Sequence, residues 1–143
     1  MRSHKARAVR GLAGIPGVRL RPLPDPAGET GATLIFSVPS SAAATRVAAA
    51  LTAENVKASV PWTSGQHVYY HFDQLIERRF LSKRHCAWEC PHYKGKAILK
   101  KGQFPRTDEI LQHAVHIDLH PLLAESDVDD IVNAVDKVAT ALL

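Results

Sequence analysis

The amino-acid sequence predicts a two-layer α/β domain of the α+β type, with a small mixed or antiparallel sheet of about three or four strands and helices mainly on one face. Three observations carry this expectation. The chain has 143 residues, the size of one ordinary domain and enough to bury a core, so residues 1–143 are read as a single unit. Ala32-Thr33-Leu34-Ile35-Phe36-Ser37-Val38 is a short apolar run bounded by Gly31 and Pro39, the pattern of a central, covered strand. Around it lie segments whose apolar residues recur at three and four positions, the spacing of helices with one buried face.

The elements follow in order. An opening helix is expected over Lys5 to Leu12, ended by Gly14 and Pro16, with a short extended piece from Gly17 to Arg21. Pro22 to Gly31 is rich in proline, glycine and aspartate and reads as a loop. After the central strand, Ser40 or Ser41 caps an Ala-rich helix, Ala42 to Leu51, whose stripe of Val47, Ala50 and Leu51 faces the sheet. Asn55 closes that helix, and Lys57-Ala58-Ser59-Val60 forms a second strand ending at Pro61.

From Trp62 to Gly102 the periodicity breaks, apart from a short helix expected over His71 to Arg79. A helix over Thr107 to His113 then leads into a strand at Ala114 to Asp118. Ser126 with Asp129 three positions on resembles a capping box for a last helix. Behind it Val128, Ile131, Val132, Val135, Val138, Ala139 and Leu142 place one face on the core.

Composition narrows the function classes. An apolar content of 45% against 22% charged residues is that of a globular protein, and no apolar run approaches the roughly 20 residues of a spanning helix. The basic N-terminus lacks the apolar stretch of a secretory signal. These features exclude a membrane protein and make a cytoplasmic location the expectation. The net charge of +4 is gathered largely between Arg78 and Lys101, interleaved with Phe80, Trp88 and Tyr93. A solvated face is the expected reading, and no nucleic-acid motif accompanies the charge.

Several segments resemble the DegT/DnrJ family of fold-type I, pyridoxal-phosphate-dependent sugar aminotransferases. Phe104-Pro105-Arg106-Thr107-Asp108-Glu109-Ile110-Leu111, followed by Ala114-Val115-His116-Ile117-Asp118-Leu119-His120-Pro121, resembles the closing segment of that family. The leucine, acidic stretch and apolar helix from Leu122 onward continue the likeness. Gly14-Ile15-Pro16-Gly17-Val18 looks like the family's entry into its small domain, and Arg21-Pro22 with Asp25 to Gly31 like the loop before its first main strand. His67-Val68-Tyr69-Tyr70-His71 with Cys90-Pro91-His92-Tyr93 resembles one branch.

Together these cover the chain but match only the last third of the family. The resemblance therefore implies a C-terminal small domain or fragment, with Met1 standing at an internal position of a longer ancestral frame. It also implies pyridoxal phosphate held by a large domain, a homodimer with active sites between subunits, and a small domain closing over a keto-sugar, often nucleotide-linked. Glutamate or glutamine would be the amino donor. The alternative is a free-standing binding module, either for phosphorylated ligands or for a separately encoded large domain.

Candidate chemistry is sparse. A pyridoxal aminotransferase needs a Schiff-base lysine, an acidic partner for the pyridine nitrogen and a phosphate cradle. No lysine here stands in that context, no catalytic residue is assigned, and the chain alone is expected to bind no cofactor and to be inactive. His67, Tyr69, Tyr70 and His71 are the candidates for substrate contact, because imidazole and phenol groups donate and accept hydrogen bonds to sugar hydroxyls. Packing with only the polar tips at the surface is the competing role for those rings.

Cys86 and Cys90, with His85 and His92, put four possible ligands in eight residues. A structural zinc site adds a second, distant pair, which is missing, so no metal ligand is assigned and reduced thiols are expected. His116 and His120 would share one face of the strand at Ala114 to Asp118 and its continuation. That permits a pair of ligands or substrate donors, but a strand-end position near Pro121 makes ordinary structural hydrogen bonding the expected role.

Overall fold

The computed structural model describes residues 1–65, 68–79, 92, 94–95 and 98–143. Helix α1 (Arg2–Leu12) begins before the expected Lys5, because the Lys5 amide already donates to the Met1 carbonyl at 2.9 Å. Lys5 itself is buried, and its ammonium lies 3.0 Å from Glu29. The loop before the central strand is thereby tied to the first turn of the helix. Gly31 completes the junction with φ +79, and a Cβ there would stand 2.8 Å from the Arg2 backbone. Only glycine satisfies both conditions.

Strand β1 (Arg19–Leu20) pairs antiparallel with β2 (Thr33–Ser37), Arg19 opposite Ser37 and Leu20 opposite Phe36. Helix α2 (Ser41–Ala53) follows, capped by Ser40, whose hydroxyl accepts from the Ala43 amide at 3.1 Å. Its far end is a Schellman turn. Asn55 takes φ +64, the Val56 amide donates to the Leu51 carbonyl at 2.9 Å, and the Asn55 amide to Thr52 at 3.1 Å. Both Leu51 and Val56 are buried, which is the apolar contact that accompanies this turn.

Strand β3 (Ala58–Ser59) leads into two 3-10 turns, Pro61–Thr63 and Tyr69–His71. The helix expected over His71 to Arg79 shortens to a single turn, α3 (Asp73–Ile76), and Arg78 just beyond it lies in the left-handed region with φ +54. Helix α4 (Pro105–His113) starts on Pro105 and runs without a linker into β4 (Ala114–Asp118). The last helix, α5, spans Glu125–Leu142.

The sheet has the order β1-β2-β4-β3, and each neighbouring pair is antiparallel. Leu34 and Phe36 of β2 stand opposite Ile117 and Val115 of β4, all four at most 2% exposed. They face the helix layer of α1, α2 and α5, where Leu12, Val47, Leu51, Val128 and Val135 complete the core. The other face carries Thr33, Ile35, Ser37 and His116, each half-buried. Strand β2 is therefore central, as its apolar run suggested, yet among the described residues helices cover one side of it. Among the described residues no helix is long and apolar enough to cross a membrane.

The start of α5 differs from the expected capping box at Ser126 and Asp129. Asp127 accepts the Ala124 amide at 2.7 Å, so the helix begins earlier. Asp129 is held elsewhere: the Arg7 guanidinium of α1 grips it at 2.6 and 2.7 Å and reaches Glu125 at 2.7 Å. A planar fork on a carboxylate fixes direction as well as distance. Lys137 makes the matching tie to Glu54 at the end of α2, at 2.7 and 2.8 Å.

Two predictions follow from this packing. A Cβ on Gly11 would meet the Val132 methyls at 2.7 and 2.8 Å. Alanine favours a helix by up to about 1 kcal/mol over glycine, but overpacking costs about 1–3 kcal/mol. Gly11→Ala is expected to destabilise the fold in urea unfolding, and to do so less in a Val132→Ala background. A stabilised Gly11→Ala would contradict the close approach of α1 and α5.

The hydrogen bond from Arg7 holds the Asp129 carboxyl below its ordinary value. A carboxyl depressed by folding stabilises the protein above its unfolded pKa of about 4 and loses that contribution as the pH falls through the folded value. Asp129→Asn is therefore expected to lower stability at neutral pH, with the difference from wild type fading in acid. A difference that stays constant with pH would show that the ion pair does not act through charge.

Candidate functional site

Of the four residues singled out for substrate contact, three are brought together and His67 lies outside the described residues. Val68 is fully buried and anchors the 3-10 turn Tyr69–His71, in which the His71 amide donates to the Val68 carbonyl at 2.9 Å. With Val68 pointing inward, the next three side chains fan out over the surface. Their rings join an aromatic cluster with Trp62 and Phe104, which come from the two turns flanking this region.

Every ring contact is edge-to-face: Trp62 to Tyr70 at 5.2 Å, Tyr69 to Tyr70 at 5.3 Å, Tyr69 to Phe104 at 4.9 Å and Tyr70 to His71 at 4.7 Å. This is the arrangement that ring quadrupoles favour. The Lys101 ammonium stands 5.0 Å from the Tyr70 ring centre, a cation–π contact. The Tyr69 hydroxyl accepts the Gln103 amide at 2.9 Å. Its own hydrogen remains available to a ligand.

His71 Nδ1 is 2.7 Å from the Gly65 carbonyl oxygen. A carbonyl only accepts, so Nδ1 carries the hydrogen and Nε2 of the neutral ring is left as an acceptor. Below the cluster Asp108, on α4, is 8% exposed and its Oδ1 has no hydrogen-bond partner among the described residues. Burial pushes the Tyr70 phenol above its ordinary pKa, and the negative charge of Asp108 adds to the effect. The cluster thus offers the Tyr69 and Tyr70 hydroxyls, one imidazole acceptor and several ring faces. That is equipment for recognition; among the described residues it holds no nucleophile paired with a base.

No protein-family model and no curated protein matches this chain.

The other candidates separate. His116 projects from the uncovered face of the sheet, with Nδ1 3.5 Å from the Ser59 hydroxyl and Nε2 3.4 Å from Asp118. His120 does not share its strand, because β4 ends at Asp118. Instead His120 Nδ1 accepts the Leu122 amide at 3.2 Å and shapes the turn before α5. The two histidines thus make separate structural contacts, the role expected over a pair of ligands or substrate donors.

His92 is exposed on a turn, while His85, Cys86 and Cys90 lie outside the described residues. Among the described residues no three His, Cys, Asp or Glu side chains are placed to hold a metal ion.

The feature that sequence reading missed is a cleft of about 770 Å³ between β1 and α4. Arg19 and Arg21 line it from the edge of the sheet, and Arg106, Glu109, Ile110 and His113 from one side of α4. Within each element a signal existed: i, i+2 arginines on an extended piece, and i, i+3, i+4, i+7 on a helix. Nothing local told that the two would face one space.

Replacing Asp108 by asparagine removes the charge beneath the cluster and leaves the burial. The Tyr70 phenol is expected to titrate at lower pH in Asp108→Asn while remaining above an ordinary phenol. A pH titration of phenolate absorbance, with Tyr70→Phe to assign the signal, checks this. An unchanged titration would show that the carboxylate does not act on the ring.

Proposed function

We propose that this chain serves as the C-terminal small domain of a pyridoxal-phosphate-dependent sugar aminotransferase of the DegT/DnrJ type. The observation that carries the reading is the segment from Phe104 to Leu142. The residues that resemble the family's close form one continuous unit: α4 enters β4 directly, β4 occupies an interior place in the sheet, and α5 folds back onto the helix layer. The helix, strand and helix order of that resemblance is thus built into the centre of the domain.

The described residues do not fit pyridoxal phosphate. Lys5 is engaged with Glu29 and Lys137 with Glu54, Lys101 rests over Tyr70, and Lys57, Lys94 and Lys100 are exposed. None of these lysines stands at a cradle of backbone amides for a phosphate. On this reading a large domain supplies the cofactor, the Schiff-base lysine and the phosphate site, and the protein works in the cytoplasm. The small domain closes over a keto-sugar that receives an amino group from glutamate or glutamine, with Tyr69, Tyr70 and His71 contacting sugar hydroxyls.

A second reading, a free-standing module that docks on a separately encoded large domain, is favoured by the apolar side chains left bare. Ile98, Phe104, Ile110 and Leu122 are 42–85% exposed. Where such side chains form one contiguous patch, they mark a surface that meets a partner.

The purified chain, mixed with pyridoxal phosphate, reduced with borohydride and weighed intact, is expected to show no lysine adduct above a nonspecific control and no turnover of glutamate with a keto-sugar. A single stoichiometric adduct, or turnover, would mean that this chain holds the cofactor itself.

A further inference from the structure

We propose that the cleft between β1 and α4 is a binding site for a small phosphorylated organic molecule. Arg19 and Arg106 both line this space, both are exposed, and neither makes an ion pair among the described residues. Arg21 lies beside them with one nitrogen 3.3 Å from Glu29. His113, at the far end of the same side of α4, adds a fourth nitrogen-bearing group.

Opposing them is one lining carboxylate, Glu109, which forms no ion pair with any of these arginines. The balance of fixed charge in the cleft is positive. Unpaired guanidiniums are planar forks that match the oxygens of a phosphate, and they are weakly enough hydrated to give up water for it.

The remaining walls are apolar and distinguish an organic phosphate from a free inorganic one. Leu20, Ile35 and Ile110 line the space with Pro22 and Pro39, and Ile110 is 56% exposed. At about 770 Å³ the cleft lies within the range of small-molecule sites. Its shape and mixed lining favour a compact ligand with one charged end over a nucleic-acid strand, for which a longer basic track and stacking rings would be needed. This inference stands apart from the aminotransferase reading, since it uses neither the aromatic cluster nor any property of a large domain.

Isothermal titration of the full chain with phenyl phosphate and, separately, with inorganic phosphate tests it. Phenyl phosphate is expected to bind at least several-fold more tightly, because only it reaches the apolar walls. Arg19→Ala with Arg106→Ala is expected to weaken phenyl phosphate binding by about tenfold or more, the scale of losing charge-assisted hydrogen bonds. Arg19→Lys with Arg106→Lys should recover part of the affinity, and Arg46→Gln, on the exposed side of α2, should change nothing.

Circular dichroism confirms that each variant is folded; all the substituted side chains are at the surface. The proposal is overturned if phenyl phosphate does not bind or if the double alanine variant binds it as wild type does. Equal affinity for the two phosphates, or displacement of phenyl phosphate by a single-stranded oligonucleotide that binds more tightly, would overturn it too. Failure here leaves the pyridoxal experiment untouched, and failure there leaves this one standing.

Discussion

The antiparallel pairing of β2 with β4 is the constraint on which the rest of the molecule depends. It joins two segments far apart in the chain and fixes the register Leu34 to Ile117 and Phe36 to Val115. A slip of β2 by one residue would turn Leu34 and Phe36 away from the helices and bring Ile35 under them. Burial of the apolar set, at roughly 25 cal/mol per Å² of area removed from water, penalises that slip heavily. Once the register is set, α1, α2 and α5 have one place to lay their apolar stripes.

Charge and turn chemistry then hold what the core assembles. Each of the three helices that cover the sheet is tied to a distant element by an ion pair: α1 to the 22–32 loop through Lys5 and Glu29, α1 to α5 through Arg7 and Asp129, and α2 to α5 through Glu54 and Lys137. The exposed pairs contribute little energy individually. Their value is in direction, since each crosses between elements that the hydrophobic layer alone would let slide. Lys5 differs because it is buried, and a buried ammonium without a carboxylate near it would be costly.

Among the described residues the helices cover the sheet on one side. The uncovered face and its β1 edge leave room for the arginine-lined cleft, while the aromatic cluster sits at the other side of α4, around Phe104 and Asp108. Helix α4 therefore separates two surfaces of different character, one basic and one built of rings over a buried carboxylate. Both depend on the same unlinked passage from α4 into β4, which prevents the helix from swinging independently of the sheet.

Local chemistry made much of the fold legible in the sequence. Gly31 and Pro39 framed β2, Ser40 and Asn55 bounded α2, and the three-and-four spacing marked α5, because capping, turn conformation and amphipathicity are written within a few residues. The misplaced cap of α5 shows the limit: Ser126 and Asp129 had the local pattern, but Arg7, remote in sequence, claimed Asp129. The same limit applies to His120, which lies beyond the strand of His116 and is engaged by the Leu122 amide in the turn before α5. The site divides along this line. Tyr69, Tyr70 and His71 stood out as a run of polar rings, whereas the cleft formed by Arg19, Arg21 and Arg106 required the sheet order β1-β2-β4-β3 to bring a chain-start strand and a late helix to one space. Sequence by itself determined which segments bury and where they turn; which distant side chains meet was decided by non-local pairing, a free energy that no local window contains.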